Sequence, residues 1–576
     1  MKLLKKLSKK KHFWPLVVVI FFGVLASRAL LFQKGYFIMH DDLQMMRQLV
    51  MEECFRDWQI PCRWTQHMGY GFGFPLFNFY PPLPYLIGEI FRLIGLSFVT
   101  TVKFTFALSI IVSGITMYLL AKEFFGKLGG VVSSIFYIWA PYHSIDVYVR
   151  GAMNEAWALA WFPLIFWAGY RLIIEKKNRN KWIIGLALSW FALFTSHNLM
   201  ILILTPFFSV WVLLWIWKNK KWSRLLDFVK SGLLAFGLAS FFTIPVLLEQ
   251  KHVQVSTLVV GYYEYIAHFA SLAQLLFSRF WGYGPSVWMD IDGMPFQIGH
   301  VHWILSLIIG GWVVVSLLKN KKKIIKTLKS KSVLLTACFM LIVGWFSLFM
   351  SHQRSIFIWK LIKPLEFVQF PWRFLSTATF ALSLLAGVIV VILEKHKLRN
   401  WIVGLSVLVL LILNWNYFLP KSGRMGALTD EDKFSGAAWE LQQTAGIYDY
   451  LPNAAKQAPQ EPQRYLAEIM EGEGTVGGEW QNSNKAGFDV NVESDSATVR
   501  LGIFQFPGWR VYVDGEKVET FVPDTEVWGR MYIQVPEGEH IVTAKLKNTW
   551  PRNLGNVVSL VTWVGLITYV YKRKRK

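Results

Sequence analysis

Gln33-Lys34-Gly35-Tyr36-Phe37-Ile38-Met39-His40-Asp41-Asp42 leads out of the first hydrophobic stretch of the chain. Gly69-Tyr70-Gly71-Phe72-Gly73-Phe74-Pro75-Leu76-Phe77-Asn78-Phe79-Tyr80-Pro81-Pro82 leads into the second. Asp41 and Asp42 stand where a membrane helix would leave the bilayer. Charges at that boundary are costly unless solvated or paired, so they mark a candidate site; the bland alternative is a solvated loop start that stops the span. The segment after the prolines, residues 83–95, decides the topology. It is apolar but short, and it carries Glu89 and Arg92. About 10–14 apolar residues suit an interfacial helix better than a crossing. Counting it as a crossing would flip every later loop, and only the interfacial reading keeps the basic clusters on one side.

The chain has 576 residues, of which 54% are hydrophobic and only 17% charged. Soluble domains carry roughly 25% charged residues. Apolar runs near 20 residues recur, the length that crosses a bilayer, so the chain is expected to be a polytopic membrane protein. The net charge of +23 does not point to nucleic acid, because the Lys and Arg lie in short clusters between apolar runs. Cys338 lies in an apolar run. Cys54 and Cys62 share the first loop, where a disulfide and two free thiols are both open.

With residues 1–12 inside and 13–32 an uncleaved anchor, further spans are expected near 99–121, 129–145, 156–174, two flanking Ser196-His197-Asn198, 229–247, 301–318, 332–350, 373–393, 401–418 and 556–571. Basic turns at Lys122 and Lys127, Lys176–Lys181, Lys218–Lys221, Lys319–Lys331, Lys395–Arg399 and Lys572–Lys576 then all fall inside. Both termini are expected in the cytoplasm of a plasma-membrane protein, with loops 33–98, 146–155, 248–300 and 351–372 outside. Residues 43–56 have the spacing of a surface helix.

The segment 420–555 changes character. Residues 497–503, 509–513 and 540–546 alternate as strands do, Asp514-Gly515 suits a hairpin turn, and Pro536-Glu537-Gly538-Glu539 suits another. Residues 430–486 show no regular pattern. The expected fold is mainly α, with about 12 transmembrane helices and a C-terminal extracytoplasmic β-sandwich-like domain. The domains would be 1–419, 420–555, and a final helix with basic tail, 556–576.

Beyond Asp41 and Asp42, four groups could carry chemistry. Tyr148-Val149-Arg150-Gly151-Ala152-Met153-Asn154-Glu155 holds an arginine and a glutamate that are not needed to stop a span; the bland alternative is an ion pair snorkelling to the interface. Ser196-His197-Asn198 lies between spans, where a lone His is more often a packing residue. Phe370-Pro371-Trp372-Arg373 puts a guanidinium where it could grip a phosphate, or merely anchor the interface. The loop after the seventh span carries Tyr262, Tyr263, Tyr265, His268, Trp281, Asp290, Asp292, His300 and His302, aromatics that suit a sugar or a lid. All these groups fall on one side under a topology set by charge. The arrangement suits transfer from a lipid-phosphate donor to a hydroxyl. A carboxylate would take the proton, Arg150 or Arg373 would offset charge on the departing phosphate, and the sugar carbon would pass through an oxocarbenium-like state.

The layout resembles the GT-C superfamily of membrane glycosyltransferases. Its nearest likeness is to proteins carrying the 6-pyruvoyl-tetrahydropterin synthase-related membrane domain. The residues that carry it are Gly71–Pro82, Arg150–Glu155, Ser196-His197-Asn198 and Phe370–Phe374. The tail Phe506-Pro507-Gly508-Trp509-Arg510-Val511-Tyr512-Val513-Asp514-Gly515 looks like the external β-domain of YfhO-type membrane proteins. The resemblance implies a polyprenyl-phosphate sugar donor, a glycan, lipid or protein acceptor, and an inverting transfer on the outer face. It implies Asp41 or Asp42 as base, Glu155 as second acidic position, and Arg150, His197, Asn198, Tyr80, Trp281 and Arg373 toward substrate. A divalent cation stays open; if one is held, Asp41, Asp42 and Glu155 would hold it. The pterin label does not carry function, since a pterin synthase needs a compact histidine zinc site and no such cluster is visible. A flippase of lipid-linked sugars would put charges deep inside spans and repeat itself internally. An envelope scaffold would tolerate substitution of Asp41, Asp42 and Glu155.

Overall fold

The computed structural model describes residues 12–287, 292–319, 331–421 and 426–575. The basic stretch 1–11, Asp290, the basic run 320–330 and Lys576 lie outside the described residues. Nine helices among those described are long and apolar enough to cross a membrane. Several expected spans take another form. The first is a 14-residue helix, Phe13–Ala26, followed by Arg28–Phe32. The second and third form one 41-residue run, Phe98–Ile138, broken at Gly126, where φ is 69°. The third ends at Ile138 rather than 145, because Pro141 cannot continue a helix. The fifth is the 16-residue helix Arg179–Phe194.

The chain divides into two compact units. The first comprises the segment ending at Asp42, Val99–Ala235 and Gly261–Leu428. Its centre is the helix Leu375–Ala386, every residue of which is buried. Small residues let neighbours approach it: a Cβ on Gly344 would meet Leu382 at 2.4 Å, and one on Gly387 would meet Ser133 Oγ at 2.5 Å. Hydroxyls satisfy carbonyls between helices, as in Ser133 Oγ to Leu384 O (2.9 Å), Thr116 Oγ1 to Ala160 O (2.9 Å) and Tyr137 OH to Leu159 O (2.8 Å). Ser347 and Thr377 share a hydroxyl–hydroxyl bond of 2.8 Å.

The second unit comprises Leu43–Phe98, Phe236–Val260 and the chain from Thr429 onward. Cys54 and Cys62 are bridged. The helix Gln44–Arg56 forms as expected but does not lie on a surface: Gln44, Met45, Met46, Arg47, Gln48, Val50, Met51 and Cys54 are buried. Its polar residues have partners inside the unit. Gln48 donates to the Glu89 carboxylate and to Tyr85 O (3.2 Å). Leu83–Leu93 is a helix of 11 residues, about 16 Å at 1.5 Å per residue and too short to cross hydrocarbon, with Ile90 and Leu93 exposed.

Six strands form one antiparallel sheet: β1 Ala467–Glu471, β2 Gly474–Asn482, β3 Lys485–Phe504, β4 Trp509–Val513, β5 Glu516–Val518 and β6 Arg530–Leu546. The order is β1-β3-β6-β4-β5, with β2 on β3 beside β1. In hydrogen-bond terms the β-sandwich-like domain is therefore a single sheet. Asp514 and Gly515 have φ of 50° and 88°, the left-handed pair that a tight hairpin needs. Pro536–Glu539 is not a turn. The strand β6 runs through it, pairing Pro536 with Ser496 and Gly538 with Val492. A bulge in β3 at Glu493–Asp495 bends both strands there, so the glycine relieves a kink instead of reversing the chain. The stretch 430–486, without pattern in sequence, holds the helices Asp430–Lys433 and Gly436–Thr444, then β1 and β2.

Candidate functional site

Helix ends of the first unit converge on Glu155. Pro141 starts a short turn, Pro141–Ser144, which runs into a π-turn, Ile145–Val149. Such turns recur at functional sites because they re-aim side chains. Here the turn puts Asp146 and Arg150 on one face, and Arg150 Nη1 donates to Asp146 Oδ1 at 2.5 Å and to Glu155 Oε2 at 2.7 Å. Glu155 lies in the first turn of Met153–Ile174, where a negative charge suits the helix dipole. Tyr142 OH donates to its other oxygen at 2.5 Å. Arg373 Nε stands 3.5 Å and His197 Nε2 4.0 Å from Glu155 Oε2. Arg373 is steadied by Val368 O and Gln369 Oε1, both at 2.8 Å, and the Arg150 guanidinium lies 4.6 Å from the Trp372 ring centre.

Gly151 brings the first acidic pair to this turn. Its φ is +64°, and a Cβ there would meet Met39 Sδ at 2.2 Å, so only glycine lets the Met39–Asp41 segment lie so close. His40 N donates to Val149 O (3.0 Å) and Asp41 N to Arg150 O (2.9 Å). Asp41 and Asp42 are both half-buried, while the Glu155 side chain is wholly buried.

The electrostatics favour an anion. Burial, and then the Glu155 charge, push the Asp146 carboxyl well above the usual range. Its Oδ2 has no hydrogen-bond partner among the described residues and is the natural place for the proton. Burial alone would lower Arg150, but the facing Glu155 carboxylate and its hydrogen bond outweigh it and hold the guanidinium protonated. Burial pushes His197 down to about 3, with Arg373 and Arg150 acting in the same sense against Glu155. Its Nδ1 accepts from Leu199 N (3.2 Å), so the neutral ring presents Nε2–H toward Glu155. Two guanidiniums thus face one ionised buried carboxylate.

Arg150, Glu155, His197 and Arg373 therefore come together, with Asp41 joined through its backbone. Asn198 follows His197 as the first residue of the helix Asn198–Asn219. Trp281 stacks on Tyr417 at 4.2 Å, which covers one of its faces. Its neighbour Tyr283 meets His40 Nε2 through its carbonyl at 3.0 Å. Tyr80 belongs to the second unit, where Arg47 donates to its hydroxyl (3.0 Å) and covers its ring at 4.3 Å. His302 Nε2 lies 3.1 Å from Phe136 O. Sequence reasoning missed Asp146 and Tyr142. The four-residue spacing of Asp146 to Arg150 is the signal that could have found the first.

Among the described residues no three His, Cys, Asp or Glu are grouped so as to hold a metal. Glu155, ringed by two guanidiniums and a tyrosine hydroxyl, is a poor ligand for a cation. Asp41, Asp42 and Glu155 thus do not fit the expected metal set.

A relative from Lactococcus lactis, described as an uncharacterized protein, is 24% identical over 368 residues, which is 61% of this chain and 55% of the relative. Among solved structures, the chain is similar to ArnT from Cupriavidus metallidurans bound to undecaprenyl phosphate, with 15% identity and a TM-score of 0.38 over 70% of this chain and 64% of that one. It is also similar to the Archaeoglobus fulgidus oligosaccharyltransferase tethered to an acceptor peptide, with 12% identity and a TM-score of 0.39 over 76% and 56%. The chain thus spans less than two thirds of each of these relatives. The family model described as "6-pyruvoyl-tetrahydropterin synthase related domain; membrane protein" matches residues 77–419. With well over half of its length matched, this multi-pass membrane protein belongs to the 6-pyruvoyl-tetrahydropterin synthase-related membrane family.

Proposed function

We propose that the protein is a membrane glycosyltransferase that moves a sugar from a polyprenyl-phosphate donor to an acceptor hydroxyl. The observation that carries this reading is the pairing of a half-buried carboxylate, Asp41, with a cluster of two guanidiniums to one ionised carboxylate, joined by the bond from Asp41 N to Arg150 O. In a single displacement the acceptor oxygen bonds to the sugar anomeric carbon as the bond from that carbon to the phosphate oxygen breaks. Asp41 takes the acceptor proton. The polyprenyl phosphate departs with its extra charge on Arg150 and Arg373. Attack from the face opposite the leaving group inverts the anomeric centre. Glu155 acts as a positioning residue: it orients both guanidiniums and touches neither sugar nor acceptor. Asp42 is the alternative base. The site end of the helices is assigned to the outer face, with the basic turns and both termini in the cytoplasm.

The test is turnover of undecaprenyl- and dolichyl-phosphate sugars by the purified protein in nanodiscs, with crude envelope as acceptor. Asp41→Asn, Asp42→Asn and Glu155→Gln are compared with the wild type. Loss of turnover in one Asp variant, with folding and donor binding intact, supports transfer and picks the base. Donor bound but consumed by no variant, the wild type included, sinks the transferase reading in favour of a flippase or scaffold.

A further inference from the structure

The second unit holds a buried charge cluster outside the proposed site. Glu249, 2% exposed, ends the helix Leu225–Glu249 and accepts from Asn78 Nδ2 (2.8 Å), Arg552 Nε (2.9 Å) and the Thr549 hydroxyl. Arg552, 1% exposed, lies in the first turn of the helix Trp550–Arg575. Its Nε serves Glu249, but neither Nη1 nor Nη2 has a partner among the described residues. Arg63, 3% exposed, donates through Nη2 to Phe241 O (2.6 Å) and Asn556 Oδ1 (2.9 Å), while its Nε has none. Asn556 lies one turn after Arg552 on the same helix, so the bond to it brings Arg63 beside Arg552, and burial, then the charge of Arg552, lower Arg63 to about 9. Asn78 Oδ1 is an acceptor that also lacks a partner.

Two buried cations therefore share one carboxylate, and the unmatched groups are mostly donors. A buried N–H without an acceptor costs about 1–3 kcal/mol, and more when charged. Space at the guanidinium is tight. A Cβ on Gly508 would stand 2.7 Å from Arg552 Nη1, and the Phe506 ring centre lies 5.4 Å from the guanidinium carbon. The Phe506-Pro507-Gly508-Trp509 motif thus forms one wall of the cluster. We propose that Arg552, with Arg63 beside it, binds a small inorganic anion of halide size as a structural ligand of this unit. The anion would accept from Arg552 Nη1 and Nη2 and balance the second guanidinium. The site is independent of the proposed transfer reaction.

The test is thermal unfolding of the full-length protein in detergent, with chloride exchanged for gluconate at constant ionic strength. The melting temperature should rise by several degrees across a roughly hundredfold range of chloride, as for any ligand that binds only the folded state. Arg552→Lys should flatten the response, because an ammonium lacks the fork. The double variant Glu249→Gln/Arg552→Gln leaves no uncompensated carboxylate to unfold the unit, and should also show no chloride dependence. Bromide should give an anomalous difference peak within hydrogen-bonding distance of the Arg552 Nη atoms. A wild-type melting temperature equal in chloride and gluconate overturns the proposal. So does a response that persists undiminished in Arg552→Lys, which would be a general salt effect, or a bromide peak elsewhere only.

Discussion

Two arginine–glutamate clusters, one in each unit, have the same charge balance and different walls. Around Glu155 stand Arg150 and Arg373, with side chains 9% and 11% exposed, and half-buried Asp41 is bonded to the same turn. Around Glu249 stand Arg552 and Arg63, 1% and 3% exposed, beneath Phe506 and Gly508. In both, the excess guanidinium calls for an anion. On the two proposals, the less buried cluster takes a substrate phosphate that comes and goes, and the more buried one holds its anion as part of the fold. Degree of burial, not charge, is then what separates them.

The largest expected contrast is in turnover. Asp41→Asn should lower it by about 10²–10⁴-fold, whereas Arg552→Lys should leave it unchanged at a temperature where that variant is folded. If both fall equally, the comparison breaks.

Truncating Arg150 to Met leaves Glu155 with only the more distant Arg373, and truncating Arg552 to Met leaves Glu249 without its arginine. Each should cost about 3–5 kcal/mol in denaturant unfolding. Glu249→Gln/Arg552→Gln should recover most of that loss, since replacing a whole buried pair is far milder than halving it.

Opening the Cys54–Cys62 bridge with serines should cost about 2–3 kcal/mol, the closure entropy of so short a loop. The effect belongs to the second unit, so donor binding in the first should survive it.

The smallest effects are pH slopes, and they have opposite signs in the two units. The folded chain holds His197 at about 3, below the ordinary 6.5. Between these values the unfolded chain binds a proton that the folded chain refuses, so stability rises with pH across that window. Glu89, pushed up to about 7 by burial from an ordinary 4.5, keeps its proton when folded; its contribution is present below 4.5 and lost as pH rises through 7. His197→Gln should flatten the acid limb, and Glu89→Gln the neutral one, each by up to about 1.4 kcal/mol per pH unit within its window.

Much of this was legible in sequence because membrane insertion is governed by local quantities. Run length and the side chosen by Lys and Arg put the helix ends of 150–155, 197–198 and 371–373 on one expected side; the contacts between them came from the structure. Asp146 escaped because the third span was carried to 145, past Pro141, which made the aspartate a loop edge instead of the second residue of the π-turn Ile145–Val149. Tyr80 and Trp281 are aromatic, as a sugar platform requires, but Arg47 and Tyr417 cover them, and nothing in the chain near either residue announces that cover. Pro536–Gly538 has turn composition, yet β3 carries a bulge opposite it and bends with it.

The sequence by itself determined that the chain crosses a membrane many times, that the apolar run at 83–95 is too short for a straight crossing, that 497–546 builds strands, and that Arg150 and Glu155 stand together at a helix end. Each of these follows from hydrophobic length, period or charge within a short window. Only the tertiary structure decided which carboxylate stays half-buried and which is gripped by two guanidiniums, and that Arg63, Glu249 and Arg552 meet at all. Burial and pairing depend on residues hundreds of positions apart, and no local pattern encodes them.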